Sequence, residues 1–349
     1  MRPMQLGMTL KLGGARPSID METVLEAERL GFSQVWSGES YSTDAISPVA
    51  WVLARTTRIK VGTGIMQIPA RTPACAAMTA MTLQALSGGR FLCGLGVSGP
   101  QVVEGWHGVP FGKPMPRTRE YIAIIRQILS REKPLVFHGE EYNIPYAGPD
   151  ATGLGKPLRS IIHGDPSLKF YTASITPAGL RTAGECTDGV LPIFYSPEKP
   201  KVVTDSLFEG MRKAGREPTL KNFDIAPYVR TRMGDDLQAC RDAIRPELAL
   251  YIGGMGARSK NFYNAVACKL GYEAAAKKIQ DLFLDGKKDE AAAAVPDALV
   301  DEISLVGSAD RIKDRLHAWK DAAKAHDVGT MVLIGASTEA MRVIAEAVL

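Results

Sequence analysis

Residues 94–99 read Gly-Leu-Gly-Val-Ser-Gly, the GxGxxG spacing of a dinucleotide-binding loop, with Glu120 placed where a ribose-binding carboxylate would stand. That chemistry requires a helix to begin inside the glycines, so that its N-terminus meets the pyrophosphate. Here Pro100 follows, and Gly108, Pro110, Gly112, Pro114 and Pro116 crowd the next stretch, so no helix is expected to start there. A tight loop at the mouth of a barrel is the better reading. The five histidines, His107, His138, His163, His317 and His326, show no HxH or HExxH spacing, and no carboxylate cluster resembles a metal site, so no metal is expected. There is no GxSxG elbow, and Gly155-Lys156 runs into Pro157 where a P-loop needs Ser or Thr.

What remains is a set of residues at the C-terminal ends of predicted strands: Glu39 and Ser40, Thr63-Gly64-Ile65, Ser98, and Ser174-Ile175-Thr176. Catalytic groups of a barrel lie at that end, although each of these is equally explained as a turn residue or a cap. Backbone N–H groups there also suit a cofactor phosphate. Trp36, Trp106, Phe194 and Tyr195 fall near the same end and are candidates for an apolar substrate wall, with ordinary packing as the competing explanation.

The elements that must position these residues follow from a repeated alternation of apolar runs and helical segments. Ser47-Pro48, Thr72-Pro73, Thr176-Pro177 and Ser196-Pro197 each offer a side-chain oxygen at a helix N-cap and a proline at the first helical position. Apolar runs at 4–10, 34–36, 60–68, 90–97, 170–175, 189–194, 223–231 and 330–334 read as buried parallel strands, because they lack polar alternation. Helices are expected near 18–31, 45–56, 73–87, 115–130, 177–187, 197–214, 308–325 and 337–348. Eight strand–helix pairs favour a closed (β/α)₈ TIM barrel over a doubly wound open sheet.

Two stretches break this rhythm. Residues 131–167 read as a hairpin followed by a Gly/Pro-rich loop, and 234–307 read as mostly helical. They are taken as insertions after strands four and seven, crowding the mouth of a single domain spanning 1–349. The net charge of +4, from 42 basic and 38 acidic residues, is too small and too dispersed for a nucleic-acid partner. No stretch approaches a membrane span or a signal peptide, and five cysteines without CxxC spacing read as reduced thiols, which predicts a cytoplasmic protein.

Taken together, residues 31–39 (GFSQVWSGE), 57–65 (TRIKVGTGI), 86–91 (LSGGRF) with Gly94 and Gly96, and 178–189 ending AGECTDG resemble the bacterial-luciferase-like barrel oxidoreductases over most of the chain. The segment 96–110 (GVSGPQVVEGWHGVP) is similar to a subgroup, found in actinobacteria, that uses coenzyme F420, a 5-deazaflavin. The resemblance implies hydride transfer between the deazaflavin C5 and an organic substrate, with FMN-dependent monooxygenation, or cofactor binding without turnover, as alternatives. It implies a non-prolyl cis peptide at Gly64-Ile65 supporting the ring, Ser174, Ile175 and Thr176 around the cofactor phosphate, Ser98 near the ring edge, and a homodimer. Many relatives carry His after the acidic residue that ends strand two. Ser40 stands there, so Glu39 is expected either to handle the proton or only to hydrogen-bond the ring or neighbouring backbone, and Ser40 to be a cofactor contact, with Trp36, Trp106 and Tyr195 expected against a small-molecule substrate.

Overall fold

The computed structural model describes residues 3–12 and 14–349. Strand and helix alternate as β1 (Gln5–Thr9), α1 (Met21–Arg29), β2 (Gln34–Ser37), α2 (Ile46–Leu53), β3 (Lys60–Thr63), β4 (Met66–Gln67), α3 (Pro73–Leu86), β5 (Phe91–Gly96), α4 (Pro100–Gly105) and α5 (Pro114–Ser130). A hairpin of β6 (Phe137–His138) and β7 (Asn143–Ile144) comes next, then β8 (Phe170–Thr172), α6 (Pro177–Cys186), β9 (Gly189–Val190), α7 (Lys201–Lys213), β10 (Asp224–Ile225) and β11 (Tyr228–Met233). Short helices α8 (Leu237–Asp242), α9 (Arg245–Ala249), α10 (Phe262–Lys269), α11 (Glu273–Leu284), α12 (Lys288–Ala293) and α13 (Asp297–Ile303) lead to β12 (Ser304–Gly307). The chain finishes with α14 (Ala309–Lys324), β13 (Thr330–Ile334) and α15 (Thr338–Val348).

The barrel closes through one interrupted strand. Pro227 has no N–H to donate and splits β10 from β11. The first piece pairs in parallel with β9 through Asp224 and Ile225, and the second pairs in parallel with β13 from Tyr228 to Arg230. From β13 the parallel ladders run to β1, β2, β3, β5, β8 and β9 and so return to the start, giving the eight staves expected from the sequence. Every residue of β5 is buried, as a stave covered by side chains inside and helices outside requires. β12 is an extra strand, laid in parallel beside β11 outside the cylinder.

Inside, the floor of the barrel is a polar plug. Asp224 Oδ2 accepts from Gln34 (3.0 Å), Thr330 (3.0 Å) and Tyr171 (2.9 Å), and Gln34 in turn accepts from the Trp36 indole N–H at 3.0 Å. Trp36 packs edge-on against Tyr171, among Leu92, Leu191, Ala226 and Val332. The glycines of the GxG run answer to this crowding and not to a pyrophosphate. A Cβ on Gly94 would collide with the Thr63 carbonyl, and one on Gly96 would lie 2.6 Å from Ile65 Cγ1.

Outside, Thr72 and Thr176 cap α3 and α6 as expected, accepting from the N–H groups of Cys75 (3.2 Å) and Gly179 (3.1 Å). Two other expected caps are corrected. Asp44, not Ser47, caps α2, accepting from the N–H groups of Ile46 and Ser47, because a carboxylate is available one turn earlier. Ser196 opens a turn instead, and α7 begins only at Lys201 after Pro200. The expectation that no helix starts after Gly99 is likewise overturned. Pro100 occupies the first position of α4, where its missing N–H is no loss.

The 131–167 segment contains the expected hairpin, but it leaves from the end of α5, which has carried the chain to the face opposite the mouth. The earlier placement directly at the mouth is corrected for that reason. The hairpin climbs back along α5, where Glu120 accepts from the N–H groups of Glu140, Glu141 and Tyr142 and Arg117 pairs with Glu141. The helical segment after β11 does start at the mouth. It has its own apolar core, joined to the barrel by Ile175, Ile193 and Phe194. No helix among the described residues is long and apolar enough to cross a membrane.

Candidate active site

At the C-terminal end of the third stave the ladder breaks and resumes. β3 pairs with β5 through Val61 and Gly62, and β4 pairs with it again through Met66 and Gln67. Between them lies the non-prolyl cis peptide Gly64-Ile65, at the position the resemblance implied. Thr63 bridges the gap. Its hydroxyl accepts from the Gly94 N–H at 3.0 Å and donates to the Gly94 carbonyl at 2.7 Å, which restores the bonds that the bulge removes. On the axis side the Tyr228 hydroxyl donates to the Gly64 carbonyl at 3.4 Å, and burial raises that phenol above its ordinary range. A Cβ on Gly64 would meet the same hydroxyl, so glycine is required at this contact.

Beside this bulge sits an ion pair. Arg71 donates to both carboxylate oxygens of Glu39 at 2.8 Å, and the same oxygens accept from the N–H groups of Gln67 (2.8 Å) and Ala45 (3.2 Å). The carboxylate thus joins the end of β2, the start of β4 and the entry to α2, and its hydrogen bonds to Arg71, helped by its charge, hold that guanidinium above its usual range against burial. Gln67 is fully buried, and its side chain donates to the Ser40 carbonyl at 2.7 Å and meets His107 Nε2 at 3.3 Å. Ser40 itself is exposed.

Further round the mouth, Ser98 has a positive φ of 59° just beyond β5. The neighbouring stave β8 ends in Ser174-Ile175-Thr176, which leads into α6. The hydroxyls of Ser174 and Thr176 converge on Gly179 in the first turn, each 3.1 Å from where its Cβ would be, so a side chain there would fill the hollow between them. Two hydroxyls, a small residue and a helix N-terminus form a donor set suited to a phosphate.

The structure therefore brings Glu39, Ser40, Gly64, Ile65, Ser98, Ser174, Ile175 and Thr176 to one end of four successive staves. The aromatic expectations fare differently. Trp106 is exposed at the end of α4. Trp36 is fully buried on the barrel axis, because the small residues of β3 and β5 leave room for its ring below the mouth, so it lines no substrate space. Tyr195 is corrected too: its ring packs on Trp319 of α14, and its hydroxyl donates to the Asp327 carbonyl at 2.8 Å. Phe194 belongs to the core of the helical insertion, against Tyr251 and Tyr263. Arg71, Gln67, His107 and Tyr228 escaped the sequence reading. Of these, only Gln67 had a local signal, as a polar residue inside an apolar stave.

With this geometry in place, the comparisons with known proteins show the family by sequence and the fold by structure. The model of the luciferase-like monooxygenase family matches residues 4–326. A Mycobacterium tuberculosis protein, provisionally named a coenzyme F420-dependent oxidoreductase, is 41% identical over 98% of both chains. The 5,10-methylenetetrahydromethanopterin reductase of Methanolobus tindarius is 29% identical over 84% of both. Among solved structures, the F420-dependent tetrahydromethanopterin reductase of Methanopyrus kandleri superimposes with a TM-score of 0.77 at 22% identity, covering 99% of this chain and 98% of that one. Eight parallel staves, a bulged third stave and a family match over nearly the whole length lead to one conclusion: the chain belongs to the luciferase-like monooxygenase family.

Proposed function

We propose that this chain is a coenzyme F420-dependent oxidoreductase that transfers hydride between the deazaflavin C5 and a carbon of a small organic substrate. The observation that carries this reading is the pair of features at one mouth, the bulge that interrupts the third stave's ladder at Gly64-Ile65 and the Ser174–Thr176 hollow two staves away. A planar ring bearing a phosphate tail needs both. When bound, F420 would supply a hydride acceptor or donor, and a 5-deaza ring exchanges hydride without readily forming an oxygen adduct.

In this reading the chain's own residues orient and exclude water. Gly64 and Ile65 support the ring, Ser98 borders it, and Ser174 and Thr176 donate to the phosphate. Ser40 contributes its backbone. We assign Glu39 to holding the seat, because Arg71 and two backbone N–H groups already occupy its oxygens. Trp106 remains the candidate substrate contact. The helical insertion shares a core with Ile175 and Phe194, so we read the chain as one domain. The homodimer implied by the resemblance is checked by sedimentation.

The test is equilibrium titration with F420 and, separately, FMN, followed by fluorescence. F420 binding that weakens when Gly179→Val fills the phosphate hollow supports the reading. Tight FMN binding without F420 binding would replace it with flavin monooxygenation.

A further inference from the structure

His107, on the loop that follows α4, is half-buried and placed with Nε2 at 3.3 Å from Gln67 Oε1. The other end of that amide donates to the Ser40 carbonyl at 2.7 Å. A carbonyl only accepts, so the amide nitrogen of Gln67 must face Ser40 and its oxygen must face the imidazole. An amide oxygen also only accepts, so the neutral imidazole carries its proton on Nε2. Nδ1, on the far side of the ring, keeps a free lone pair, and no described residue donates to it.

This imidazole is anchored at the seat. Gln67 is fully buried two residues beyond Ile65, and its backbone N–H also donates to Glu39. The other histidines lie elsewhere: His138 in the hairpin, His163 in the segment after it, His317 on α14 and His326 in the turn beyond. Of the nearby carboxylates, Glu39 is occupied by Arg71, and Glu104 accepts from the Phe111 N–H at 3.3 Å. Ser40 enters through its carbonyl alone, so the serine side chain leaves the arrangement intact.

We propose that His107 takes up and returns the proton that accompanies hydride transfer at this seat, with Gln67 setting its tautomer. The proposal rests on the deazaflavin reading above. For a substrate carbon bearing a hydroxyl, the O–H bond would break and a C=O bond would form as the C–H bond gives up its electron pair as hydride, for which the bound deazaflavin would be the acceptor. The proton goes to Nδ1, giving an imidazolium that still donates from Nε2 to Gln67. In the opposite direction both are returned.

Two measurements test this without relying on turnover. Nitrogen-15 NMR of histidine-labelled protein should show His107 as the Nε2–H tautomer, and Gln67→Met should remove that bias. Diethyl pyrocarbonate, which acylates an imidazole at its free lone pair, should modify His107 in the unliganded protein and be blocked there by saturating F420, while His138 reacts as before. An Nδ1–H tautomer, or undiminished His107 modification with F420 bound, would overturn the proposal. Fluorescence titration on the same samples separates the two readings: absence of F420 binding removes the cofactor assignment and this proposal with it, whereas binding without protection removes only the proposal.

Discussion

Arg71 grips Glu39 in a two-pronged ion pair, with both N–O distances at 2.8 Å and the carboxylate side chain only 6% exposed. The geometry is that of fork-on-fork pairing, which adds orientation to charge. Removing one partner of a buried pair leaves the other uncompensated, so Arg71→Met should lower stability by about 3–5 kcal/mol in urea unfolding. Glu39→Gln should weaken F420 binding and leave the transfer rate from the bound complex little changed. A collapsed rate at unchanged affinity would return Glu39 to the proton-handling role, one of the two expected from sequence.

Gly96 faces Ile65 across the seat. An added methyl would stand 2.6 Å from Ile65 Cγ1 and 2.7 Å from Cδ1, and Ile65 is pinned between the β3 and β4 ladders. Overpacking of this kind destabilises by about 1–3 kcal/mol. Gly96→Ala is therefore expected to fold, to melt somewhat earlier, and to lose F420 binding because the bulge is displaced. Retained affinity would show that the ring rests elsewhere.

Glu28 ties the end of α1 to the start of β3, accepting from the N–H groups of Thr57 (2.9 Å), Arg58 (2.7 Å) and Ile59 (2.9 Å). Burial pushes its carboxyl up, but the three N–H donors and the charge of Arg58 together outweigh that and hold it below its ordinary value of 4.5. A carboxylate lowered in the folded state adds stability above its unfolded pKa, and that stability is lost as pH falls through the folded one. Glu28→Gln should be clearly less stable than wild type at neutral pH, with the gap closing under acid. A gap independent of pH in denaturant titrations at several acidities would count against this account.

The thiols divide by environment. Burial pushes Cys93 and Cys186 up to about 12, whereas Cys75 is exposed near the start of α3. The thiolate is the nucleophile, so iodoacetamide at neutral pH should label Cys75 first and leave Cys93 untouched in the native state. Peptide mass spectrometry reads the order directly. Rapid native labelling of Cys93 would mean that β5 opens.

Much of the barrel was legible because its physics is local. Long apolar runs without polar alternation become staves, and Thr72 and Thr176 stop their strands and start helices with side-chain oxygens that need no distant partner. The cis bond was placed only because the residues around it resemble a family. Direction along the chain misled where an element intervened: α5 separates the hairpin from the stave it was assigned to. Aromatic residues misled for a related reason, since Trp36 and Tyr195 are suited equally to a mouth or to a core, and only neighbouring volume decides between them.

By itself, then, the amino-acid sequence determined the staves, most helix starts and the identity of the residues at the mouth, because periodicity and capping act over a few residues. Tertiary structure alone decided which of those residues are free to act. Arg71 reaches Glu39 across 32 positions, Tyr228 reaches Gly64 across 164, and His107 meets Gln67 across 40. Such partners are chosen by barrel closure and register, and no local pattern of side chains encodes them.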